Sequence, residues 1–137
     1  MASTPQIPLP EPTELSRPFW EAANEGRLIL QRCDICAHYR WTPQILCTHC
    51  QAEPFTWTEI SGRGRLYSYT IVHRAPTAGF EVPFVLAVVE LEEGPLMLTQ
   101  IVESVHESLA IDAPVEIAFT RANDDINLYT FRLAGEA

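Results

Sequence analysis

Two cysteine pairs constrain this chain more than any other feature. Cys33-Asp34-Ile35-Cys36 and Cys47-Thr48-His49-Cys50 stand ten residues apart, and there is no other cysteine. Two residues between cysteines let one tight turn aim both sulfurs at a single point. Two such turns, facing each other, supply four thiolates in the tetrahedron of a closed structural zinc site. Such a site has no open position for water or substrate, so it organises structure rather than performing chemistry. The competing reading is a pair of disulfides, but neighbouring Cys-x-x-Cys pairs rarely form structural bridges, and a reducing compartment favours metal. Iron suits the same donors and would make the chain a rubredoxin-like electron carrier; colour separates the two, since the iron protein is red and the zinc protein colourless. His38 and His49 flank the cysteines, and beside four thiolates they read as surface polar residues rather than ligands. The glycine that usually follows each pair is replaced by Ala37 and Gln51, which weakens the turns without removing a ligand.

Charge excludes a class of partner. Nine basic residues, all arginine, face eighteen acidic ones, a net of −9. Zinc ribbons and small β-barrels often bind single-stranded nucleic acid through basic grooves, and that is the alternative reading here. A chain this acidic repels a phosphate backbone, so no nucleic-acid track is expected. Two arginine groups, Arg27/Arg32/Arg40 and Arg63/Arg65/Arg74, leave room for a small anion site. Hydrophobic residues make up 47% of the 137, an ordinary globular share. No apolar run approaches the ~20 residues that cross a bilayer, and Met1–Glu14 has no basic stretch leading into an apolar one. The expectation is a cytoplasmic protein without a membrane segment.

Three segments follow from the pattern. Residues 1–18 hold five of the eleven prolines and read as an extended arm. Residues 19–54 hold a short helix and the ribbon. Pro18 suits a first helical turn and Gly26 a position just past a helix end; Phe19, Trp20 and Ala23 form one apolar edge. Arg27–Arg32 reads as a strand into the first cysteine turn, and Tyr39–Trp41 as its return. Residues 55–137 are all β. Phe55–Ile60 alternates with period two, Gly62 and Gly64 interrupt it as at a bulge, and Leu66–His73 continues it. Phe84–Leu91 is a nearly continuous apolar run expected to be buried on most sides, Leu96–Val102 its hairpin partner, and Pro114–Thr120 and Leu128–Leu133 the last strands. Glu103–Ala110 is a short connection that can form a helical turn. Five strands, the first long and glycine-bent, fit a small closed barrel of the OB type; a sandwich of about seven strands is the runner-up.

Catalytic motifs are missing: no Gly-x-Ser-x-Gly, no phosphate loop, no dinucleotide glycine pattern, no His-Glu-x-x-His. Without lysine there is no Schiff base and no lysine general base. His73-Arg74, at a strand end, could hold an anionic or carbonyl group, and Arg63 and Arg65 complete the candidate ligand contacts. No catalytic residue is expected.

The order of motifs carries a resemblance. Phe19-Trp20, Gly26-Arg27-Leu28, the cysteine pairs with Pro43 between them, Ser61-Gly62-Arg63-Gly64, Tyr67-Ser68-Tyr69-Thr70, Val82-Pro83-Phe84, Glu90–Pro95 and Pro114-Val115 together resemble the zinc-ribbon/OB-fold proteins of acyl-CoA metabolism long catalogued as a domain of unknown function. The resemblance runs from Phe19 to Leu133. It implies a mostly β chain with a short N-terminal helix, a rubredoxin-like zinc ribbon holding one structural Zn²⁺ on Cys33, Cys36, Cys47 and Cys50, and a C-terminal five-stranded OB barrel. It implies a non-catalytic accessory subunit of a hetero-oligomer, partnered by a thiolase-fold enzyme (ketothiolase, acyltransferase or steroid side-chain aldolase) or a hydratase, and a share in binding the acyl-CoA. An apolar face around Phe19, Trp20, Tyr39 and Trp41 is the expected partner interface.

Overall fold

The computed structural model describes residues 8–104 and 106–134; the first seven residues of the proline-rich arm lie outside them. Helix α1 (Arg17–Asn24) comes first. Ahead of it Thr13 N–H donates to Ser16 Oγ at 2.9 Å, and Ser16 N–H to Thr13 Oγ1 at 3.1 Å. Pro18 occupies the first turn, where its missing N–H costs nothing. Gly26, at φ +80°, closes the other end. Its N–H reaches Ala23 O at 3.0 Å while Arg27 N–H reaches Ala22 O at 2.9 Å, the double closure that a left-handed residue permits. The buried face is Phe19, Ala22 and Ala23; Trp20 is half-buried on its flank.

Two β units follow. Strands β1 (Ile29–Cys33), β2 (Tyr39–Arg40) and β3 (Phe55–Glu59) form an antiparallel sheet in the order β2-β1-β3. Strands β4 (Arg63–Val72), β5 (Phe84–Leu91), β6 (Leu96–Ile101), β7 (Pro114–Arg121) and β8 (Asn127–Leu133) close a barrel in the order β4-β5-β6-β8-β7. A 3₁₀ turn, His106–Ser108, lies in the connection after β6. The closing pair β6–β8 is parallel and meets at Ile101 and Phe131. Nearby, Thr99 Oγ1 donates to Tyr129 O at 2.7 Å.

The long glycine-bent strand expected from residue 55 is in fact two strands in two sheets. All of β3 pairs with β1, from Ile29 opposite Glu59 to Cys33 opposite Phe55, so its alternation belongs to the ribbon. The barrel begins at β4. The bulge expected at the glycines falls instead at Tyr67, between the Leu66–Val89 and Ser68–Val88 pairs. The glycines serve the crossing between the sheets. Gly62 has φ +75°, and a Cβ there would stand 2.5 Å from the Ile117 side chain; a Cβ on Gly64 would strike the Glu90 carbonyl oxygen.

β5 is one-sided rather than buried all round. Val85, Ala87, Val89 and Leu91 point inward, while Leu86 is 36% exposed. With Leu66, Met97, Ile101, Val115 and Phe131 they fill the barrel, and Leu28 and Leu30 from the ribbon side join the same core. Aromatic rings seal the junction. Phe19 is 1% exposed; its ring lies 4.9 Å from Trp41 of the ribbon and 5.6 Å from Tyr129 of the barrel, and Trp41 and Tyr129 meet at 5.2 Å. Such edge and tilted contacts add about 0.5–1.5 kcal/mol each beyond area burial. Polar groups fix the helix end: Asn24 Nδ2 donates to Asp125 O at 2.8 Å, and Asn127 Nδ2 to Ala23 O at 2.9 Å.

Candidate metal centre

The two cysteine turns are built alike. Cys33 N–H donates to His38 O at 2.8 Å and Ala37 N–H to Cys33 O at 3.0 Å; in the second turn Cys47 N–H donates to Ala52 O at 2.9 Å and Gln51 N–H to Cys47 O at 2.9 Å. This closure requires a left-handed residue after the second cysteine. Ala37 has φ 68° and Gln51 φ 65°, so both hold a conformation suited to glycine. The sulfurs converge. Cys33 and Cys50 Sγ are 3.5 Å apart, as are Cys36 and Cys47 Sγ, and all four lie within 4.8 Å of one another. Tetrahedral zinc–thiolate bonds place sulfurs about 3.8 Å apart, whereas a disulfide needs about 2.05 Å. All four cysteines are free thiols.

The electrostatics suit a cation. The Cys33 thiol is pulled down to about 6, chiefly by the Cys36 backbone N–H and then that of Ile35, against the opposing effect of burial. Cys47 is lowered in the same way by the backbone N–H groups of Cys50 and then His49, with His49 N–H 3.3 Å from its sulfur. On Cys36 the His38 backbone N–H also pulls downward, but burial and the neighbouring sulfurs outweigh it and push the thiol up to about 12. Four sulfurs this close cannot all ionise unless a cation sits among them. The donor set fits zinc: four thiolates, closed, with no oxygen ligand.

Beneath the turns lies a polar support that the sequence reading missed. Gln31 and Arg40 face each other across β1 and β2 and are 0% and 1% exposed. Gln31 Nε2 donates to Gln44 O at 3.0 Å and its Oε1 accepts from Gln44 N–H at 2.7 Å. The Arg40 guanidinium donates to the carbonyls of Gln44, Ile45, Ala52, Glu53 and Pro54 at 3.0–3.3 Å. The two side chains thus fasten the segments on either side of the second cysteine turn. Arg40 is therefore unavailable for the anion site imagined for Arg27, Arg32 and Arg40. The visible signal was Gln31, a lone polar residue following Leu28-Ile29-Leu30.

The other candidates do not assemble. Arg63 pairs with Glu92 at 3.3 Å, and Arg65 with Glu90 and Asp112, both at 2.5 Å. His73 and Arg74 are exposed beyond the opposite end of β4, about 26 Å from Arg65 at ~3.3 Å per residue. None of the four lines the cavity of about 580 Å³ at the barrel end, whose walls include Phe80, Phe84, Gln100, His106 and Arg121. Phe19 is interior, so it offers no surface to a partner. Trp20, Tyr39 and Trp41 are half-buried. The large apolar side chains that do face outward are elsewhere: Ile35 and Ile45, each 68% exposed on the ribbon, and Leu96 and Leu98 on β6. Among the described residues no helix is long and apolar enough to cross a membrane.

A short helix, a four-cysteine ribbon and a five-stranded OB barrel in one chain define a two-module metal-ribbon/OB protein. The chain belongs to the ChsH2 (DUF35) family: residues 20–56 match the ChsH2 rubredoxin-like zinc ribbon domain and residues 57–120 the ChsH2 C-terminal OB-fold domain. It is 38% identical over 117 residues to a probable enoyl-CoA hydratase alpha subunit of Thermomonospora curvata, a match covering 85% of this chain and 37% of that protein. It therefore spans little more than a third of that subunit. It is 37% identical over 101 residues to a DUF35 domain-containing scaffold protein of Methanocaldococcus jannaschii, covering 72% of this chain and 71% of that one. Among solved structures it resembles a chain of the Ltp2-ChsH2(DUF35) aldolase with TM-score 0.84 and 34% identity, covering 93% of this chain and all of the other.

Proposed function

We propose that this chain is a non-catalytic scaffold subunit of a cytoplasmic acyl-CoA enzyme, and that it binds a thiolase-fold or hydratase partner while one Zn²⁺ staples its ribbon. The observation that carries this reading is the closed sulfur cluster in a chain whose remaining polar residues form no catalytic constellation among the described residues. Membership of a family containing a named scaffold protein, a hydratase subunit and an aldolase component supports it. The four cysteines would hold the ion through thiolates, and the ion would supply folding energy rather than a reacting group.

The partner surface we assign is the outward apolar set, Ile35 and Ile45 on the ribbon with Leu96 and Leu98 on β6, with the half-buried Trp20, Tyr39 and Trp41 as secondary candidates. Acyl-CoA contact is assigned to the barrel end, where the 580 Å³ cavity opens near the exposed His73 and Arg74, which have no ion-pair partner among the described residues. Arg63 and Arg65, already bound to acids, are poorer candidates.

Co-expression with thiolase-fold and hydratase enzymes from the same source tests the proposal. A stable complex, with turnover only when both chains are present, is the expected result. Turnover by the isolated chain, or a chain that co-purifies with no such enzyme, overturns it.

A further inference from the structure

The ribbon sheet ends in an open edge. Strand β3 pairs with β1 on one side and has no strand on the other. Two bonds fix which of its backbone groups face outward. Ile60 N–H donates to Leu28 O at 2.9 Å, and Asp34 N–H to Pro54 O at 3.0 Å. Between them Ile29 stands opposite Glu59 and Cys33 opposite Phe55. Antiparallel pairs alternate, so Pro54, Thr56, Thr58 and Ile60 turn their backbone toward β1. Phe55, Trp57 and Glu59 aim their N–H and C=O groups the other way. Among the described residues none of those six groups has a hydrogen-bond partner.

Sheets usually blunt such an edge with lysine, proline or a bulge. Phe55–Glu59 has no lysine or proline, and its register with β1 runs without a bulge. Pro54 does not blunt it either, because its missing N–H lies on the β1 side. The edge is also held firm. Phe55 and Trp57 are half-buried, and their rings meet edge-on at 5.7 Å. The Arg40 guanidinium lies 5.1 Å from the Phe55 ring, and Trp57 packs on the shared core. Charge says what kind of strand fits. Asp34 and Glu53 are exposed at one end and Glu59 at the other. Arg27 meets Glu59 at 3.6 Å, a surface pairing that contributes little.

We infer that the open edge of β3 is a strand-addition site, taking an extended segment of the partner enzyme with an apolar centre and basic residues at its ends. The incoming backbone bonds to Phe55, Trp57 and Glu59. Its central side chains lie against the two rings, and its cationic ends meet Glu53 and Glu59. The site presupposes the scaffold role proposed above and adds to it: the outward leucines and isoleucines supply apolar area, while the edge supplies register and direction.

Amide hydrogen exchange tests the site residue by residue. It is followed by NMR in the full chain, alone and in the complex recovered by co-expression with thiolase-fold and hydratase enzymes from the same source. Alone, the Thr56, Thr58 and Ile60 amides should be protected, while those of Phe55, Trp57 and Glu59 exchange freely. In the complex these three should slow at least about tenfold, an alternation that general burial does not produce. Glu59→Pro removes one outward N–H and spares the β1 ladder, so it should weaken the complex at least about fivefold. Glu59→Gln keeps the N–H and should weaken it about twofold. Should Glu59→Pro fail to fold, the exchange pattern decides alone. A complex in which the three amides exchange as before, or wild-type binding by folded Glu59→Pro, overturns the edge site alone. Protection that rises with concentration in the isolated chain gives the edge to a second copy and overturns the partner strand. No complex with either class of enzyme overturns the scaffold role and the edge site with it.

Discussion

From Cys33 to Pro54 the buried side chains are two cysteines and an arginine; from Leu66 to Phe131 they include Leu66, Val85, Val89, Leu91, Met97, Val115 and Phe131. The barrel is a hydrophobic core closed on itself, stabilised by about 25 cal/mol per Å² of apolar surface removed from water. The ribbon segment is too small for that. Its carbonyls converge on Arg40 and its sulfurs on a single point. The difference teaches that the two regions fail under different insults, although Leu28 and Leu30 lend the ribbon's first strand to the barrel core.

The sharpest break is Cys33→Ser. Metal binding in small modules contributes about 10–16 kcal/mol of folding free energy, so this variant should hold no structural ion and lose complex formation. Hydrogen exchange should show amides of residues 33–54 opening while those of β4–β8 stay protected; loss of protection in both regions together would erase the distinction. Phe131→Ala is the mirror experiment. Phe131 is fully buried, and its truncation should cost about 3–5 kcal/mol in denaturant unfolding while the folded protein keeps its full metal content. Next comes Arg40→Met, which leaves five carbonyls without their donor. A loss of about 3 kcal/mol and a metal affinity weaker by about 10–100-fold, read by chelator competition, are expected; an unchanged affinity would mean Arg40 does not support the cysteine turns. The smallest effect has the opposite sign. Ala37→Gly and Gln51→Gly relieve left-handed strain of ~1–2 kcal/mol at the cost of some unfolded-state entropy, so each should gain about 0.5–1 kcal/mol. A melting temperature that falls in either variant would show that the turns are not strained.

The spacing of the cysteines announced the convergence of the four sulfurs because the geometry of such turns is local: a few residues set it. The helix was legible for the same reason, through Pro18 and Gly26 at its ends. What could not be read was which sheet a strand would join. Phe55–Glu59 and Arg63–Val72 have compatible periods and only Ser61-Gly62 nearby to mark the boundary, and the choice of partner is made by β1, 22 to 30 residues upstream. Exposure was misread for a related reason. Phe19 looks like a docking residue because its pocket is made by Trp41 and Tyr129, residues far apart in sequence. Arg40 looks like a surface cation because the carbonyls that surround it come from two loops that only the folded ribbon brings near. The four candidate ligand contacts proved scattered along β4 and beyond it, since a strand separates its two ends rather than gathering them.

Phe19, held between a ribbon tryptophan and a barrel tyrosine, makes the chain a bracket rather than two beads on a string. The apolar tips at Ile35 and Ile45 and the leucines of β6 are held at a fixed spacing before any partner arrives. A partner that bound across both modules, as proposed, would meet a finished mould and lose little freedom in fitting it.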